Sequence, residues 1–312
     1  MRVGLLGLGR IGAFHAATLA AHPLVEELIV ADPVRTSPHG RAGDPFTCDA
    51  VVIATPTGTH AELLRTAMER GIPAFCEKPV AATVEETRTL AELAAKTGAH
   101  VQIGFQRRFD PGFAAAARAL RAGELGEPHR LHLITADPAP PPAEYIATSG
   151  GIFRDCHIHD FDLLRWITGR EVATVYATGS NLGHADFFAA AGDVDTSAAL
   201  LTLDDGTLAT LQGSRYNGAG YDVRMELAGS KATHAVGLGP RAPISGFDGP
   251  PWPDFVTRFA DAYANEIDAF LRSSTSQCTI EDALAALYVA EAAELSRRER
   301  RPVEITEITE VS

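Results

Sequence analysis

The feature that most restricts the possible folds is a glycine-rich turn near the start of the chain. "RVGLLGLGRIGAFHAATLAAH" predicts a buried strand over residues 3–6 and a helix over about residues 10–21. Between them Gly7, Gly9 and Gly12 form GxGxxG. The first glycine permits a tight turn, the second lets the backbone approach a pyrophosphate, and the third lets helix and strand pack closely. Glycine turns also occur for purely structural reasons, so the surrounding sequence has to decide.

The sequence around this turn favours a dinucleotide site. A second apolar strand, "LVEELIVAD", ends at Asp32, twenty residues after Gly12. An acid there accepts hydrogen bonds from a ribose 2'-hydroxyl and repels a 2'-phosphate, which favours NAD over NADP. The helix N-terminus, with Arg10 and Ile11, then faces the phosphates. The alternative is a turn aspartate before Pro33.

Further strand and helix pairs follow as far as "HVQIGF". Alternating strands and helices predict a parallel sheet, which gathers ligands at the carboxyl ends of its strands. The residues predicted to bind cofactor at these ends are Thr55, Pro56, His60, Glu77, Lys78 and Gln106.

The segment after Asp32 departs from this pattern. "PVRTSPHGRAGDPFTCD" has three prolines and two glycines where a full dinucleotide-binding fold carries another helix and strand. We therefore expect a sheet truncated after its second strand, with a more open adenosine side.

Lys78 in "CEKPV" follows a buried strand. Its ammonium group is expected over the cofactor cleft, where desolvation and a charged nicotinamide would lower its pKa and suit it to proton relay. The alternative is a lysine paired with Glu77 at a strand end, and the residues alone do not separate the two.

The stretch "GGIFRDCHIHDFD" is consistent with a metal site, an acid/base site or a polar helix end. On a helix with about 100° per residue, Asp155, His159 and Asp162 share one face, whereas His157 and Cys156 point away. The two histidines therefore cannot share a metal, and no other His, Cys or carboxylate cluster is evident. We therefore predict no metal at this stretch. Asp155 and His159 are predicted to form a pair, in which either the carboxylate orients the imidazole for proton transfer or the two side chains are simply buried polar partners.

Composition excludes several classes of function. The net charge is -13, and a nucleic-acid partner would require a basic surface. The four cysteines lie far apart without a CxxC pair, and no apolar run approaches the ~20 residues of a membrane span. We expect no membrane association, no signal sequence and a location in the reducing cytoplasm.

The second half of the chain changes to short alternating strands from about Pro128. It predicts a mainly antiparallel open sheet, with the helix of Asp155 packed on it and one face left for another subunit. The fold class is thus α/β plus α+β, with a dinucleotide-binding domain over residues 1–124 and a substrate and oligomerisation domain over 125–312. The last helices are expected to pack back on the first domain, and the oligomer to be a dimer or a homotetramer.

Together these pieces resemble the glucose-fructose oxidoreductase / inositol dehydrogenase / MocA family over nearly the whole chain. The resemblance rests on "GLLGLGRIGAFHA", "ATPTGTHAEL", "FCEKPVA", "QIGFQRRFDP" and "GGIFRDCHIHDFDLLRW". EKP followed about seventy residues later by DxxxHD is the specific part. "DPAPPP", "AGDVDT" and "GYDVRMELAGSKA" look most like the inositol 2-dehydrogenase branch.

The resemblance implies a Rossmann-type domain and an NAD(P)-dependent dehydrogenase acting on CH–OH groups. It implies Lys78, Asp155 and His159 as the catalytic set. Arg107 after GFQ and Asp137 in "TADP" would line a polyol pocket, with Tyr221 and Tyr263 as weaker candidates.

The sequence as a whole therefore predicts NAD-dependent oxidation of an inositol-like cyclic polyol. A sugar or anhydrosugar oxidoreductase in a biosynthetic pathway is the nearest alternative. A non-catalytic dinucleotide sensor is the alternative from another class, but pure binding does not require Lys78, Asp155 and His159 together.

Overall fold

The computed structural model describes residues 1–183 and 185–310. The first part of the chain contains β1 (Arg2–Leu6), α1 (Arg10–Ala21), β2 (Glu27–Ala31), β3 (Arg41–Ala42), β4 (Ala50–Ile53), α2 (His60–Glu69), β5 (Ala74–Glu77), α3 (Val84–Thr97) and β6 (Val101–Gly104). The middle contains α4 (Pro111–Arg121), β7 (Pro128–Ala136), α5 (Ala143–Ile146), α6 (Ile158–Thr168), β8 (Val172–Ser180) and α7 (Asp186–Ala190). The remainder contains β9 (Thr196–Leu203), β10 (Leu208–Ser214), β11 (Asp222–Gly229), β12 (Thr233–Val236), α8 (Phe255–Arg258), α9 (Ala260–Arg272), α10 (Ile280–Glu299), β13 (Val303–Glu304) and α11 (Thr306–Thr309).

The chain forms two compact units. The first comprises Met1–Phe109 with Ala260–Ala285, and the second comprises Asp110–Phe259 with Ala286–Ser312. Compact units of this kind are not the same as independently folding domains. The domain boundary between residues 124 and 125 therefore stays a prediction. Within the described ranges, no helix is both long and apolar enough to span a membrane.

The first unit is built on a six-stranded sheet in the order β3-β2-β1-β4-β5-β6. Its neighbouring strands are all parallel. Leu6 at the end of β1 pairs with Ala31 on one side and Ile53 on the other. The residues that follow these strand ends therefore meet at one edge of the sheet, as the Rossmann-type prediction requires.

The segment after Asp32 lacks a regular helix, as predicted, but the prediction of a sheet truncated after its second strand is wrong, because the strand β3 is present. Residues 33–40 contain no helix, and β3 adds two residues to the sheet edge beside β2. A 3-10 turn over Pro45–Thr47 follows. Pro45 lies 2.5 Å from the position of a Cβ atom at Gly4, so this shortened connection packs tightly against β1.

The core of the first unit lies between the parallel sheet and its helices. Val3, Leu5 and Val52 of the sheet are fully buried, and Ile267 and Phe270 of α9 belong to the same apolar cluster. The helix α9, which lies far along the chain from β1 and β4, thus completes the core of the first unit by packing against the apolar side chains of these strands.

The second unit contains a seven-stranded sheet in the order β12-β11-β7-β10-β9-β8-β13. β10 runs parallel to β7, while the other neighbours are antiparallel. β9 and β10 form the predicted hairpin, in which Gly206 takes the left-handed conformation with φ 88°. The mainly antiparallel sheet is confirmed, and its one parallel pair matters for the site described below.

The helix of the Cys/His/Asp stretch begins irregularly. Phe153–His157 forms a π-helical turn, α6 follows from Ile158, and Gly169 ends it in the left-handed conformation with φ 66°. The glycine stop is confirmed, but the prediction of a regular α-helix through the first turn is wrong. A π turn has more residues per turn than an α-helix, so the faces assigned to residues 155–157 at 100° per residue do not hold.

Candidate active site

The three glycines of the first turn have different surroundings. A Cβ atom at Gly12 would lie 2.1 Å from the Gly7 carbonyl oxygen, and one at Gly7 would lie 2.5 Å from the Ala54 carbonyl oxygen. Gly7 also has φ +91°. At Gly9 the nearest atom is the Arg35 Nη1, 3.7 Å away. Gly7 and Gly12 are thus required for packing, whereas Gly9 leaves open space over the turn.

That open space lies at the N-terminus of α1. Gly9 is the N-cap residue and provides no side-chain hydrogen bond to the first turn, which Arg10 and Ile11 begin. The first turn also carries no acidic residue. An uncapped helix N-terminus with a missing Cβ atom in front of it is suited to a phosphate group. The residues present therefore fit the pyrophosphate of NAD.

Asp32 lies beside this turn. Its carboxylate accepts hydrogen bonds from the backbone amides of Leu8 (2.7 Å), Val34 (2.9 Å) and Arg35 (2.7 Å). The Leu8 and Val34 amides hold the pKa of Asp32 below its usual range. The carboxylate is therefore charged at neutral pH and held at the end of β2, where a ribose hydroxyl is expected.

His60 contacts two loops at the same sheet edge, those of Thr55 and Pro79. Its Nδ1 lies 2.7 Å from the Pro79 carbonyl oxygen and its Nε2 lies 2.7 Å from that of Thr55. The side chain is buried, and Thr59 adds a 2.7 Å hydrogen bond to the Thr55 hydroxyl. Because both ring nitrogens already face carbonyl groups, His60 can act on a cofactor only through the loops of Thr55, Pro56 and Pro79.

Lys78 follows the end of β5 and is half-buried. The preceding Glu77 accepts a hydrogen bond from His15 Nε2 at 2.8 Å, which ties the end of β5 to α1. This tie gives Glu77 a partner on another element. Lys78 therefore follows a strand end that is tied to α1.

Gln106 and Arg107 lie in a 3-10 turn after β6, and both are buried. Tyr263 lies on α9, also buried, with its ring 5.5 Å from that of Phe14 and 6.0 Å from that of His15. All the predicted cofactor residues thus follow or flank strand ends of the first unit, and Tyr263 and Arg107 belong to this unit as well.

In the second unit, Arg215 joins two of the predicted site residues. Its Nη2 lies 2.6 Å from Asp155 Oδ2 and its Nη1 lies 3.0 Å from Asp137 Oδ2. The parallel register pairs Ser214 with Ala136, which places Arg215 and Asp137 side by side just beyond their strands. The Arg215 side chain is 3% exposed, against 22% for Asp137 and 11% for Asp155. The buried cation thus holds two partly accessible carboxylates.

Tyr145 completes this group, which we call the Arg215 cluster (Asp137, Tyr145, Asp155 and Arg215). The Tyr145 hydroxyl donates a 2.8 Å hydrogen bond to Asp155 Oδ1. Burial and the Asp155 charge raise the pKa of Tyr145 above its ordinary value, so the hydroxyl stays protonated and remains a donor. Burial alone would lower the pKa of Arg215, but the facing Cys156, Asp155 and Asp137 outweigh it and raise that pKa.

The two histidines of the stretch have separate environments. His157 is buried, with Nδ1 2.8 Å from Asp160 Oδ2 and Nε2 2.8 Å from the Ser197 hydroxyl. Thr135 donates to both oxygens of Asp160 at 2.9 Å. His157 is thus part of a closed internal network, whereas His159 is half-buried. The Asp155–His159 pairing stays a prediction.

Other predicted residues have defined surroundings. Tyr221 is buried, forms a β-bridge with Trp252 and packs its ring 6.4 Å from that of Phe259. Cys156, which was predicted to point away from the pair, has its sulfur 3.8 Å from Asp137 Oδ2. Cys156 therefore contacts a predicted pocket residue.

Sequence reasoning missed several residues. Arg215 and Tyr145 have no motif of their own, although "GSRYN" directly after a strand predicts a polar strand end. The expectation of no further His and carboxylate cluster is wrong: His15, Glu77 and Glu266 bring their ligating atoms within 4.8 Å of one another. These three residues lie on three separate elements, so no sequence spacing signals their proximity.

A Rossmann-type sheet followed by an open mixed sheet bearing acid and base side chains defines a two-part NAD-dependent oxidoreductase. The oxidoreductase family with an NAD-binding Rossmann fold matches residues 33–105, and the GFO/IDH/MocA C-terminal domain matches residues 113–235. Inositol 2-dehydrogenase of Rhizobium meliloti is 38% identical, with 98% of this chain and 99% of the relative covered. The chain belongs to the GFO/IDH/MocA oxidoreductase family.

Two further relatives extend the comparison. The scyllo-inositol 2-dehydrogenase (NAD(+)) of Bacillus subtilis is 36% identical, with 98% of this chain and 96% of the relative covered. The structure of scyllo-inositol dehydrogenase from Lactobacillus casei with bound NAD(H) and scyllo-inositol has a TM-score of 0.88 at 28% identity. It covers 98% of this chain and 99% of that one.

Proposed function

We propose that this enzyme oxidises one hydroxyl of an inositol-type cyclic polyol to the ketone, with NAD as hydride acceptor. The observation that carries this proposal is the pair of partly accessible carboxylates, Asp137 and Asp155, held on one buried guanidinium. Carboxylates fixed in this way accept hydrogen bonds from neighbouring hydroxyls of a polyol ring. The names of the similar inositol dehydrogenases support the same substrate class.

NAD would be held by the glycine turn, the N-terminus of α1 and Asp32, with the loops of Thr55, Pro56 and Gln106 along the sheet edge. When bound, its nicotinamide ring supplies the hydride acceptor. The charged Asp32 disfavours the 2'-phosphate of NADP. We therefore propose NAD as the preferred cofactor.

The proton chemistry is assigned to Lys78, Asp155 and His159. As the hydride leaves the carbinol carbon, His159 accepts the hydroxyl proton and the C–O bond becomes a carbonyl. Asp155, held by Arg215 and Tyr145, supplies the negative charge that stabilises protonated His159. The Lys78 ammonium stabilises the negative charge that develops on the substrate oxygen.

The remaining hydroxyls require polar partners. We assign these to Asp137 and Arg107, with Tyr221 and Tyr263 as further contacts. Asp137 is a defined acceptor because Arg215 fixes one of its oxygens. A polyol that lacks the matching hydroxyl would leave a buried polar group without a partner, which is the usual basis of strong discrimination.

We also propose a homo-oligomer, a dimer or a tetramer, assembled through the open face of the second sheet. Tyr176 pairs with Leu200 across β8 and β9, and both are exposed, at 43% and 47%. Leu208 on β10 is exposed at 48%. The same sheet carries a depression of roughly 510 Å³ that includes none of the proposed catalytic residues. An apolar face of this kind is typical of a subunit interface.

We propose the cytoplasm as the location of the enzyme. All four cysteines are thiols, as a reducing compartment requires.

A substrate panel tests the proposed function. Initial rates are measured with myo-, scyllo- and chiro-inositol and with common aldoses, each with NAD and with NADP. We expect NADH formation with at least one inositol and the highest kcat/KM with NAD. Turnover of an aldose with no turnover of any inositol would contradict the proposal. Lys78→Ala is the matched variant, which should lose turnover and keep NAD binding.

A further inference from the structure

Three side chains from three elements of the first unit meet inside it. His15 of α1, Glu77 of β5 and Glu266 of α9 place their ligating atoms within 4.8 Å of one another. His15 and Glu266 have no solvent exposure. The ring of His15 also packs against Phe75 at 5.5 Å and Tyr263 at 6.0 Å. His15 and Glu266 are therefore closed off from water by aromatic and apolar groups, whereas the Glu77 side chain is 14% exposed.

Glu266 is the unusual member of this cluster. Glu77 is bound to His15 Nε2 at 2.8 Å, whereas neither carboxyl oxygen of Glu266 has a hydrogen-bond partner. Its backbone carbonyl is held by the Gln102 side chain at 3.0 Å, which fixes this turn of α9. An ionised carboxylate in such a place would lack both solvent and a donor, which is highly unfavourable.

Within the part of the chain that the structure describes, no cationic side chain donates a hydrogen bond to the Glu266 carboxyl group. α9 packs against α1, which contributes His15, and against the turn of Arg107 and Arg108. Arg108 is bound to the Gln277 carbonyl oxygen and to Asp282. Burial, and then the Glu77 charge, raise the pKa of Glu266 well above its ordinary value, while the same two causes raise that of Cys76 on β5.

A cation and a proton would both neutralise the cluster. One imidazole and two carboxylates suit a divalent metal ion. Glu266 and His15 are completely enclosed, however, and a hydrated ion would need an opening to reach them. A proton needs no opening, and burial raises the pKa of a carboxyl group because it disfavours the charged form.

We propose that Glu266 is a neutral carboxylic acid at physiological pH, and that its protonated oxygen turns to donate a hydrogen bond to Glu77, whose ligating oxygen lies within 4.8 Å. Glu77 then has a donor on each side, His15 from α1 and Glu266 from α9. Because Glu77 directly precedes Lys78, Glu266 is a positioning residue for that lysine. The effect on Lys78 rests on the proposed function, whereas the protonation of Glu266 does not.

The protonation has a thermodynamic signature. Glu266 has a raised pKa in the folded state, so its contribution to stability is complete below the pKa of the unfolded chain and is lost as pH rises. Above the pKa of the unfolded chain and below the raised pKa of the folded state, the folded wild type binds one proton more at Glu266 than the unfolded chain. Glu266→Gln lacks this difference. The unfolding constant of wild type relative to E266Q should therefore rise about tenfold per pH unit.

Urea unfolding of both proteins at several pH values measures this ratio. Glu62→Gln, at an exposed position on α2, is the matched control and should show no such trend. A ratio for E266Q that does not change with pH would overturn the proposal, because it would mean that Glu266 is ionised in the folded protein.

Two direct measurements complement the unfolding data. The infrared difference spectrum between wild type and E266Q should contain the carbonyl stretch of a protonated carboxyl group at neutral pH. Elemental analysis of purified wild type should find no stoichiometric metal. One metal ion per chain that is absent from E266Q would overturn the proposal in favour of a cation site.

The positioning role is tested by the proposed oxidation. Glu266→Leu removes the donor and should lower kcat about tenfold and shift its pH profile, with little change in the KM for NAD. E266Q restores a neutral donor and should recover most of that loss. Equal kcat values in folded Leu and Gln variants would overturn the positioning role. A wild-type protein that oxidises no polyol would contradict the proposed function and leave the unfolding test unaffected.

Discussion

Arg215 donates a 2.6 Å hydrogen bond to Asp155, and its other terminal nitrogen lies 3.0 Å from Asp137. One buried cation thus connects the ends of β7 and β10 with the π-helical turn before α6. The second unit holds its two partly accessible carboxylates through this connection. Their separation is set by the width of one guanidinium group, which is more rigid than two independent side chains would be.

Replacement of Arg215 should separate catalysis from cofactor binding. Arg215→Met leaves two carboxylates without their cation, and we expect kcat/KM for the polyol to fall about 100-fold, with a loss of ~3 kcal/mol in the free energy of unfolding. NAD affinity, measured by calorimetry, should change less than twofold. Arg130→Met, which removes an exposed arginine from an ion pair on β7, is the control and should leave kcat/KM unchanged. Unchanged turnover in the Arg215 variant would exclude the cluster from the reaction.

The glycine turn predicts opposite effects for two similar substitutions. Gly12→Ala places a Cβ atom against the Gly7 backbone and should destabilise the protein by more than about 2 kcal/mol. Gly9→Ala meets no atom closer than 3.7 Å and should melt like the wild type, but it should weaken NAD binding at least tenfold. Thermal unfolding and NAD titration distinguish them. A Gly9→Ala protein with normal NAD affinity would argue against a pyrophosphate at this turn.

The histidines at positions 157 and 159 should have separable roles. His157→Asn disrupts the network with Asp160 and Ser197 and should lower the free energy of unfolding by about 3 kcal/mol, with kcat of the folded protein nearly unchanged. His159→Asn removes the proposed proton acceptor and should lower kcat about 10³-fold with little loss of stability. Calorimetry and steady-state rates on both variants test this. The reverse pattern would assign the proton transfer to His157.

Asp32 should control the choice of dinucleotide. Its pKa lies below the usual range, so the carboxylate contributes its charge above the pKa of a free aspartate and loses it only in more acidic solution. Discrimination against NADP should therefore stay constant between about pH 7.5 and pH 9, where the 2'-phosphate is also fully ionised. Asp32→Ser should lower kcat/KM with NAD about tenfold and raise it with NADP, because the repulsion of the 2'-phosphate is removed while Arg35 remains next to the turn. Equal preference in wild type and variant would show that another group selects the cofactor.

Much of the fold could be predicted from local patterns. The alternation of apolar strands and helices predicts the parallel sheet, and the short strands with DDG and GSK turns predict the mainly antiparallel one, because these patterns act over a few residues. The two-residue β3 and the π-helical turn at Phe153–His157 were not predicted. Both depend on hydrogen bonds that the local sequence does not specify.

The sequence by itself determined the glycine turn, the place of Asp32 and the motifs of Lys78, Asp155 and His159, since each depends on neighbours within one strand, turn or helix. Only the tertiary structure decided which side chains surround them. Arg215 meets Asp155 across 60 positions of the chain, and Glu266 meets Glu77 across many more. Such pairs depend on strand register and on burial, and burial decides whether a carboxyl group is charged. That property is set by the folded surroundings and is absent from the sequence pattern.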